Sequence, residues 1–554
     1  MKFSDKILSQ TLVQLCLNKA IDHIVISPGS RNAPLTIGFV EHSDYKCFSI
    51  VDERCAAFFA LGIAQQLQKP VAVVCTSGSA LLNYYPAVAE AFYSDIPLII
   101  ISADRPSEFI DIGDGQTIRQ EKVFDKHILY SANCVEGEEF QIKNETEINI
   151  ALNTAIELKG PVHINIPFSE PLYRTVENQL IWPQNVIPRA EAEYFDEDIS
   201  NFAKKWNSSR KKMIIVGVLA PNSVERHFIE QLAKDKSVLV LTETTSNLHH
   251  VNFISAIDQL IAPLTDEGFA KLKPDLLLTF GGMVVSKKVK AFLRNHPPLE
   301  HWHVDSKKAY DTFFNLKMHF KTSINNFLAE FLPQTIFGES DYQPYWLSIR
   351  DYRIQRHEIF EKEMPFSDFM VFCEIFHSLP QNVQLQLSNS ATIRYAQLFQ
   401  LPPSAEVFCN RGTSGIDGST STAIGAAYAS KLPTIFITGD LSYFYDSNAL
   451  WNNYIPKNFK IIVVNNGGGG IFRILPGEKD SQLFDTYFET KHNLSAKQLS
   501  KMYGFEYAAI GTSEKLKEGI RNFFYKNEGP ALLEIFTPST LNDKVLLDYF
   551  EFIQ

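Results

Sequence analysis

Short apolar runs recur along the whole chain, and turn residues or polar residues follow most of them. Longer stretches between these runs are candidate helices, as is the apolar segment 55–62 that follows Glu53 and Arg54. Candidate strands that alternate with candidate helices favour an α/β fold built on parallel sheets. The strands predicted from the runs are 24–26, 71–74, 98–101, 213–217, 238–241, 276–280, 434–438 and 461–464.

An internal repeat organises part of this pattern. When the chain is shifted by 363 positions, residues 62–103 lie over 425–466 without a gap. Gly62 then meets Gly425, Asn83 meets Asp446, and two predicted strands of each segment coincide. Few residues are identical, but strand, turn, helix and strand agree in one register. The repeat therefore predicts two copies of one α/β unit.

Two stretches with the composition of linkers divide the chain. The first runs from Pro183 to the acidic segment that ends at Asp198, and the second covers 332–344. A length of 554 residues also fits three to four domains. We therefore predict three α/β domains, at 1–182, 190–335 and 345–554.

Composition excludes several classes of function. The formal net charge is −11, which argues against nucleic acid as the main partner. No apolar run approaches the 18 residues or so that a membrane span needs, so we expect no membrane insertion. The seven cysteines form no C-x-x-C pair, and the N-terminus lacks the pattern of a signal peptide. These features predict a reduced, cytoplasmic protein.

Two acceptor side chains stand where two of the predicted strands end. Asp440 closes the run 434–438, and Asn466 follows the run 461–464. The carboxyl ends of parallel strands are where open α/β sheets bind ligands. Carboxylate and amide oxygens suit Mg²⁺, and the glycines 467–470 allow close approach of the backbone. Two ordinary strand-to-loop turns would explain the same residues.

Five arginines lie beside small or turn residues, mostly just after predicted strands. A single arginine at a strand end is usually the partner of a carboxylate in a salt bridge. Five of them in an acidic protein predict a site for substrates with several carboxylates, because the guanidinium group binds carboxylates through two hydrogen bonds. They are Arg31, Arg105, Arg119, Arg394 and Arg411.

The spacing of Gly439-Asp440 and Asn465-Asn466 resembles the signature of thiamine diphosphate (ThDP) enzymes. Together with SPGSRNAPL, DER, ADRP, GQTIRQ, NRGTSGIDG and GDLS, it resembles the 2-succinyl-5-enolpyruvyl-6-hydroxy-3-cyclohexene-1-carboxylate synthase family, over about residues 22–475. Leu441 replaces the third glycine of the general signature, as it does in that family. The resemblance implies pyrimidine-binding, central and diphosphate-binding domains, the first and last of like fold.

The same resemblance implies a reaction and its cofactors. The family uses ThDP with Mg²⁺, for which Mn²⁺ is an alternative, to decarboxylate 2-oxoglutarate. The resulting succinyl carbanion adds to isochorismate in a 1,4-addition, as part of menaquinone biosynthesis. Both substrates are dianions at neutral pH, in agreement with the arginines. The resemblance also implies a homodimer or homotetramer, because Glu53 and Asp440 meet across a subunit interface in this family.

Residue roles follow from the matched motifs. A glutamate at a helix start more often stabilises the helix dipole than acts in catalysis. The resemblance nevertheless assigns to Glu53 the carboxyl that contacts N1′ of the cofactor. It implies Mg²⁺ ligands at Asp440, Asn466 and the carbonyl of Gly468. The implied cofactor contacts are Glu53, Ile416, Gly439, Asp440, Leu441, Ser442, Asn466, Gly468 and Ile471.

The implied substrate site combines the basic residues with small polar and apolar residues. Lys287 is the candidate from the central domain. The adjacent Lys288 would take its place if the alignment slipped by one, and a solvated lysine pair explains both residues nearly as well. Leu475 is as well explained as ordinary core. The predicted substrate residues are Ser30, Arg31, Arg105, Gln116, Lys287, Ser390, Arg394, Arg411, Phe472 and Leu475.

Two other functions remain open from the sequence. One is a different ThDP enzyme, such as an acetolactate synthase or a 2-oxoacid decarboxylase, although the arginines argue against small monoanionic substrates. The other is a non-enzymatic protein of this fold that binds the cofactor without turning over a substrate. The presence of both Glu53 and the predicted Mg²⁺ ligands argues against that alternative.

Overall fold

The described part of the chain folds around three six-stranded sheets and one two-stranded ribbon. The structure is a computed structural model that describes residues 2–189, 198–474, 477, 479, 481–526 and 529–554. Half of the predicted first linker, at 190–197, lies outside the described residues, and so does Leu475. The described residues form two compact units. The first unit contains residues up to 189 with 410–436 and 442–459, and the second contains 198–409, 437–441 and the described residues from 460 onward.

The first sheet has the strand order β3-β2-β4-β5-β7-β6, and its described pairings are all parallel. Its central strands are buried along their whole length, as expected where helices cover both faces of a parallel sheet. The strands are β1 (Phe3–Ser4), β2 (His23–Ile26), β3 (Lys46–Ser49), β4 (Val71–Cys75), β5 (Leu98–Asp104), β6 (Tyr130–Asn133), β7 (Val162–Pro167) and β8 (Thr175–Val176), of which β1 and β8 form the antiparallel ribbon. The helices are α1 (Ile7–Asn18), α2 (Ala33–Val40), α3 (Glu53–Leu67), α4 (Ser79–Asn83), α5 (Tyr85–Ser94) and α6 (Gln141–Leu158).

The second sheet has the order β11-β10-β9-β12-β13-β14, the doubly wound order 3-2-1-4-5-6. Tyr342 and Trp346, at the start of a long helix, pack into the core of this sheet. The strands are β9 (Lys212–Val216), β10 (Val238–Leu241), β11 (Phe253–Ile254), β12 (Leu276–Phe280), β13 (Glu300–Val304) and β14 (Met318–Phe320). The helices are α7 (Ser200–Ser208), α8 (Arg226–Lys234), α9 (Ile257–Ile261), α10 (Asp266–Leu272), α11 (Lys287–Asn295), α12 (Ile324–Phe331) and α13 (Tyr342–Glu363). The domain boundaries drawn from the sequence stay predictions.

The third sheet has the order β16-β15-β17-β18-β20-β19. Its two central strands end at the residues that the sequence singled out, because β17 leads directly into Asp440 and β18 ends at Asn465. The strands are β15 (Gln384–Leu387), β16 (Glu406–Cys409), β17 (Thr434–Gly439), β18 (Phe459–Asn465), β19 (Glu506–Ile510) and β20 (Ala531–Phe536). The helices are α14 (Asp368–His377), α15 (Ala391–Ala396), α16 (Ser419–Ala429), α17 (Asp440–Tyr445), α18 (Gln482–Tyr487), α19 (Lys497–Met502), α20 (Ser513–Lys526) and α21 (Asn542–Phe552).

The first and third sheets have one topology. Numbered from their first strand, both follow the order 2-1-3-4-6-5. We call the chain from β2 to β7 the first copy and the chain from β15 to β20 the last copy. The prediction of a parallel-sheet α/β fold with alike first and last domains is confirmed. Among the described residues, no helix is both long and apolar enough to cross a membrane.

Helices α3 and α16, which both belong to the first unit, pack against each other through two glycines. A Cβ atom built on Gly62 would lie 2.1 Å from the carbonyl oxygen of Thr422, and one built on Gly425 would lie 2.0 Å from that of Phe59. The shift of 363 that relates the two glycines also relates Phe59 to Thr422. The contact is therefore reciprocal, and each copy contributes an equivalent half.

Candidate active site

Asp440 is fixed at the carboxyl edge of the third sheet. Its side chain is buried, and one carboxylate oxygen accepts the N–H of Leu441 at 2.6 Å. The other accepts the N–H groups of Gly467 and Gly468 at 2.9 and 3.0 Å. These bonds use three of roughly four acceptor positions on the carboxylate, so the group is oriented and keeps capacity for a cation.

Asn466 is oriented by a residue that the sequence analysis did not single out. Its Nδ2 donates to Oδ2 of Asp368 at 2.9 Å, so the amide oxygen is the atom that Asp368 does not engage. The other oxygen of Asp368 accepts from the hydroxyl of Thr537 at 2.6 Å. Burial raises the pKa of Asp368 to about 6, although these hydrogen bonds lower it in part. Asp368 stands in the first turn of α14, where an acidic residue ordinarily signals only a helix start.

The glycine loop after β18 follows a path that side chains would block. Gly467 and Gly468 have φ angles of +76° and +155°. A Cβ atom on Gly468 would lie 2.6 Å from the carbonyl oxygen of Glu489. Beside Asn466 and Gly467 opens a cleft of about 690 Å³, which His492 also lines. The loop therefore brings its backbone to a cavity large enough for part of a ligand.

The donor set at this edge fits a hard cation. Asp440 offers carboxylate oxygens, Asn466 an amide oxygen and Gly468 a carbonyl oxygen, and Mg²⁺ takes such ligands together with phosphate oxygens. The imidazole Nε2 of His492 lies 3.3 Å from Oδ2 of Asp440. Apart from its two chain neighbours, no described residue has an atom within 4 Å of a Cβ built on Gly439, so the residue borders open space. The residues present fit the Mg²⁺ and diphosphate groups that the motif implies.

Glu53 is the first residue of α3, at the helix start where the sequence placed it. Asp52 caps this helix by accepting the N–H of Cys55 at 3.2 Å. The side chain of Glu53 is partly buried, and its Oε2 lies 3.5 Å from Nδ2 of Asn83. The amide of Asn83 can therefore limit the rotation of the carboxyl. The helix start thus presents one oriented carboxyl in the first unit.

Arg31 and Arg105 form the basic part of the first unit. Arg31 is buried, donates to the carbonyl oxygen of Phe168 at 2.8 Å, and lies 3.2 Å from the carboxylate of Glu170. Burial, and then the charge of Arg105, lower the pKa of the Arg31 guanidinium. Arg105 lies 3.7 Å from the carboxylate of Asp114. Two mutually repelling cations whose acidic neighbours are exposed favour the binding of an anion.

The loop that carries Arg411 and Ile416 is held by a buried carboxylate. Glu90 accepts the N–H groups of Gly412 and Thr413, each at 2.7 Å. The hydroxyl of Ser442 donates to the carbonyl oxygen of Ile416 at 2.8 Å, at the other end of the loop. Glu90 was not predicted, since it lies in the middle of α5 without a motif. Only the folded chain brings it to residues more than 300 positions away.

The structure places the other predicted residues on or near the surface. In the first unit, Ser30 and Gln116 are exposed, and Arg119 is an exposed partner of Asp111. In the second unit, Leu441 and Ile471 are partly buried, as are Ser390 and Arg394 at the start of α15 and within it. Phe472 is exposed by 37% and packs near Gly469.

Lys287 and Lys288 differ in their surroundings. Both are exposed in the first turn of α11. The ammonium of Lys288 lies 5.0 Å from the centroid of the Phe550 ring and borders a small cleft with Asp266. This cation–π contact gives Lys288 a structural partner. It favours Lys287 as the lysine of the predicted site.

Three family models match successive parts of the chain. Residues 7–127 match the N-terminal TPP-binding domain of thiamine pyrophosphate enzymes, 178–387 match the middle domain, and 390–535 match the C-terminal TPP-binding domain. The first match contains Glu53, the second contains the second sheet, and the third contains Asp440 and Asn466. The predicted ThDP enzyme fold is thus confirmed from sequence families as well as from topology.

Curated relatives carry the comparison further. A 2-succinyl-5-enolpyruvyl-6-hydroxy-3-cyclohexene-1-carboxylate synthase of Christiangramia forsetii is 57% identical over the full length of both chains. Proteins with the same name from Flavobacterium johnsoniae and Phocaeicola vulgatus are 56% and 40% identical, over 98% and 99% of this chain and 98% of each relative. This chain belongs to the 2-succinyl-5-enolpyruvyl-6-hydroxy-3-cyclohexene-1-carboxylate synthase family of thiamine diphosphate enzymes.

Proposed function

We propose that this chain decarboxylates 2-oxoglutarate and adds the resulting succinyl group to isochorismate in a 1,4-addition. The products are 2-succinyl-5-enolpyruvyl-6-hydroxy-3-cyclohexene-1-carboxylate and CO₂, a step of menaquinone biosynthesis. The observation that carries the proposal is the 57% identity to a synthase of that name over the whole chain. The oxygen donors of the third sheet and the arginines of the first unit support it independently.

The third sheet would hold the charged end of the cofactor. Asp440, Asn466 and the carbonyl of Gly468 would bind Mg²⁺, which the diphosphate would share. Bound ThDP supplies an electron sink for the charge left when CO₂ departs. Asp368 would keep the amide oxygen of Asn466 directed to the cation, because it already accepts from Nδ2. The remaining predicted cofactor contacts are Gly439, Leu441, Ser442, Ile416 and Ile471.

Glu53 would hold the proton that the chemistry requires. Its carboxyl would bond to N1′ of the aminopyrimidine ring and exchange a proton with that atom. Asn83, at 3.5 Å, would limit the orientations of the carboxyl. The chain offers this function from the N-terminus of a helix, which is a rigid place to hold one carboxyl.

The basic residues would bind the carboxylates of the two substrates. Arg31 is buried and already fixed by the carbonyl of Phe168, so its guanidinium is oriented before a substrate arrives. Arg105 adds a second positive charge nearby. Pre-oriented guanidinium groups lower the entropy cost of ordering a dianion. Ser30, Gln116, Lys287, Ser390, Arg394 and Arg411 complete the proposed polar set, and Phe472 and Leu475 the apolar wall.

The active species is proposed to be a homodimer or homotetramer. The family resemblance supports this, since it implies that Glu53 of one protomer serves the cofactor bound by Asp440 of another. Mixing two inactive variants, Glu53→Gln and Asp440→Ala, would then restore activity in hybrid dimers. Random exchange gives at most about a quarter of wild-type activity, because half of the dimers are hybrids with one intact site. Activity that stays at zero after verified subunit exchange would contradict the shared site.

An absorbance assay of isochorismate tests the function directly. The purified protein is mixed with ThDP, Mg²⁺, 2-oxoglutarate and isochorismate, and each component is omitted in turn. Isochorismate loss that requires all four components, with formation of the named product by mass spectrometry, is the expected result. No loss while ThDP is bound would refute the substrates and keep the cofactor, and a screen of 2-oxoacids, including pyruvate, would follow.

A further inference from the structure

A mixed group of metal-binding side chains lies outside the residues considered above. Glu361 stands in the last turn of α13, and Cys373 and His377 stand on α14. One ligand atom of each residue lies within 4.8 Å of the other two. Among the described residues, this is the one group of three or more His, Cys, Asp or Glu side chains that meets so closely.

The contacts within the group are already close to those of a coordination site. Sγ of Cys373 lies 3.3 Å from Oε1 of Glu361 and 3.6 Å from Nδ1 of His377. Nε2 of His377 lies 3.6 Å from the same Oε1. Bonds of about 2.0–2.3 Å place tetrahedral ligand atoms about 3.3–3.8 Å apart. A small rotation of the histidine ring would therefore bring one nitrogen to the required distance.

Helix geometry explains why the group forms. Cys373 and His377 are four residues apart, so they lie on the same face of α14. A short turn joins α13 to α14 and brings Glu361 to that face. Cys373 is buried, whereas the side chain of His377 is exposed by 55%. One ligand is thus fixed and shielded, and another can adjust.

A chain of hydrogen bonds orients the carboxylate. Nε2 of His357 lies 2.9 Å from Oε1 of Glu361, and Nδ1 of His357 lies 2.7 Å from the hydroxyl of Tyr549. That hydroxyl accepts from Nε2 of Gln259 at 2.8 Å, so its own proton is directed to Nδ1 of His357. His357 then donates to Glu361 from Nε2. Metal-binding carboxylates are commonly oriented by such neighbours.

The group is accessible from solvent. Glu361 and His377 line a cleft of about 760 Å³, which Glu358 and His250 also border. A metal ion can therefore enter, and water can supply a fourth ligand. Sites with three protein ligands and one water are a common form of zinc coordination.

We propose that Glu361, Cys373 and His377 bind a divalent transition metal of the zinc class, separate from the Mg²⁺ of the cofactor. A thiolate and an imidazole favour Zn²⁺ or Co²⁺ over Mg²⁺, which takes oxygen ligands. The bound ion links the last turn of α13 to α14. Its expected consequence is a more stable second unit, because the ion binds the folded chain only.

Cobalt provides a direct probe of this site. The full-length protein is stripped of metal with a chelator, loaded with ThDP and excess Mg²⁺, and titrated with Co²⁺. The expected result is a thiolate-to-Co²⁺ charge-transfer band in the near ultraviolet at one equivalent. Cys373→Ser should abolish the band. His377→Ala should weaken Co²⁺ binding at least about tenfold, because loss of a residue that only orients a ligand already lowers metal affinity by that factor. Zn²⁺ should displace Co²⁺ and raise the melting temperature of the wild type but not of His377→Ala.

Matched substitutions control for general effects. Cys47→Ser changes a half-buried cysteine outside the group, and His227→Ala removes an exposed histidine that pairs with Glu225. Both should keep the band and the affinity of the wild type. Absence of the band in folded wild type, its persistence in Cys373→Ser, or unchanged affinity in the exposed His377→Ala variant would each overturn the proposal.

Discussion

In the proposed site, the first and last copies use one topology for opposite electrostatic tasks. The shift of 363 places Ser77, Ala103 and Arg105 of the first copy at the positions of Asp440, Asn466 and Gly468 in the last. Ser77 and Arg105 follow the central strands β4 and β5, and Ala103 lies near the end of β5. Asp440 and Asn466 directly follow the central strands β17 and β18. The last copy offers oxygen atoms that suit a cation, whereas the first offers a guanidinium that suits an anion. One backbone frame therefore carries either kind of side chain at the ends of its central strands.

The same comparison extends to the helix start. Glu53 of the first copy corresponds to Ile416 of the last. Glu53 begins α3, and Ile416 lies in the loop just before α16. A proton-carrying residue and an apolar residue thus occupy equivalent places. The two copies are complementary, and neither contains by itself all the groups that the proposed chemistry needs.

Replacing a residue of the last copy by its equivalent from the first copy tests the comparison, and we expect the largest effect at Asp440. Asp440→Ser gives the last copy the residue of the first and removes the buried carboxylate that faces the proposed Mg²⁺. Substitution of a residue that orients a metal ligand already lowers metal affinity by about 10- to 100-fold. Because Asp440 is itself a proposed ligand, we expect the affinity for ThDP in the presence of Mg²⁺ to fall by at least about 100-fold. Isothermal titration calorimetry measures this. Ser77→Ala, at the equivalent place in the first copy, should bind ThDP normally, and equal affinity in both variants would refute the assignment.

The second test concerns Glu53. Glu53→Gln keeps the shape of the side chain but removes the carboxyl group that can give up and take back a proton. Turnover should therefore fall by about 10²- to 10⁴-fold while ThDP still binds. Steady-state kinetics with calorimetric ThDP affinity separates the two effects. Glu138→Gln, an exposed glutamate of the first unit, serves as the control. Near wild-type turnover in Glu53→Gln would remove this residue from the proposed chemistry.

Local sequence predicted the parts of the site that depend on strands. Asp440 and Asn466 were found because apolar runs end just before them, and parallel strands bring such ends to one edge. For Glu53, local sequence predicted only its place at the start of an apolar helix, and the family resemblance supplied its role. The repeat predicted the equal topology of the two copies, because a gapless register preserves strands and helices together.

The supporting residues could not be predicted in this way. Asp368 reaches Asn466 from 98 positions earlier in the chain, and Glu90 holds the backbone of Gly412 and Thr413 from 322 and 323 positions away. Neither residue has a local pattern that distinguishes it from a helix-surface acid. Their roles come from tertiary packing, which places a buried carboxylate against otherwise unpaired N–H groups. The sequence thus predicted the residues at the strand ends, but it did not predict the residues that orient the site.

The reciprocal contact of α3 and α16 tests whether the two copies pack as equivalents. Gly62→Ala and Gly425→Ala should each reduce the free energy of unfolding by about 3 kcal/mol, because the new methyl group would overlap a carbonyl oxygen. On an open helix surface, Gly→Ala would raise the free energy of unfolding by about 1 kcal/mol, so a decrease would indicate the predicted close contact. Urea unfolding measures it. Gly511→Ala, where no described atom lies within 4 Å of the built Cβ, should change stability by less than about 0.5 kcal/mol. A loss at only one of the two glycines would contradict the reciprocity.

The smallest expected difference concerns Asp446, which corresponds to Asn83 of the first copy. Burial raises the pKa of Asp446 to about 6, although hydrogen bonds from Ser421 lower it in part. An unfolded aspartate titrates near pH 3.9, so between about pH 4 and 6 the unfolded chain binds fewer protons than the folded chain. The contribution of Asp446 to the free energy of unfolding therefore falls as pH rises through this window, and this contribution stays constant at higher pH.

Asp446→Asn removes this titration and gives the last copy the residue of the first. The stability of the variant relative to wild type should increase by about 2 kcal/mol between about pH 4 and pH 7, as measured by urea unfolding at each pH. Asp125→Asn, an exposed aspartate of the same unit, should show no such trend. A flat difference for Asp446→Asn would mean that Arg54, 4.0 Å away, keeps the carboxylate charged in the folded chain. The two copies would then differ at this position in net charge as well as in hydrogen bonding, because Asp446 of the last copy would form an ion pair with Arg54 of the first copy, whereas Asn83 is a neutral amide.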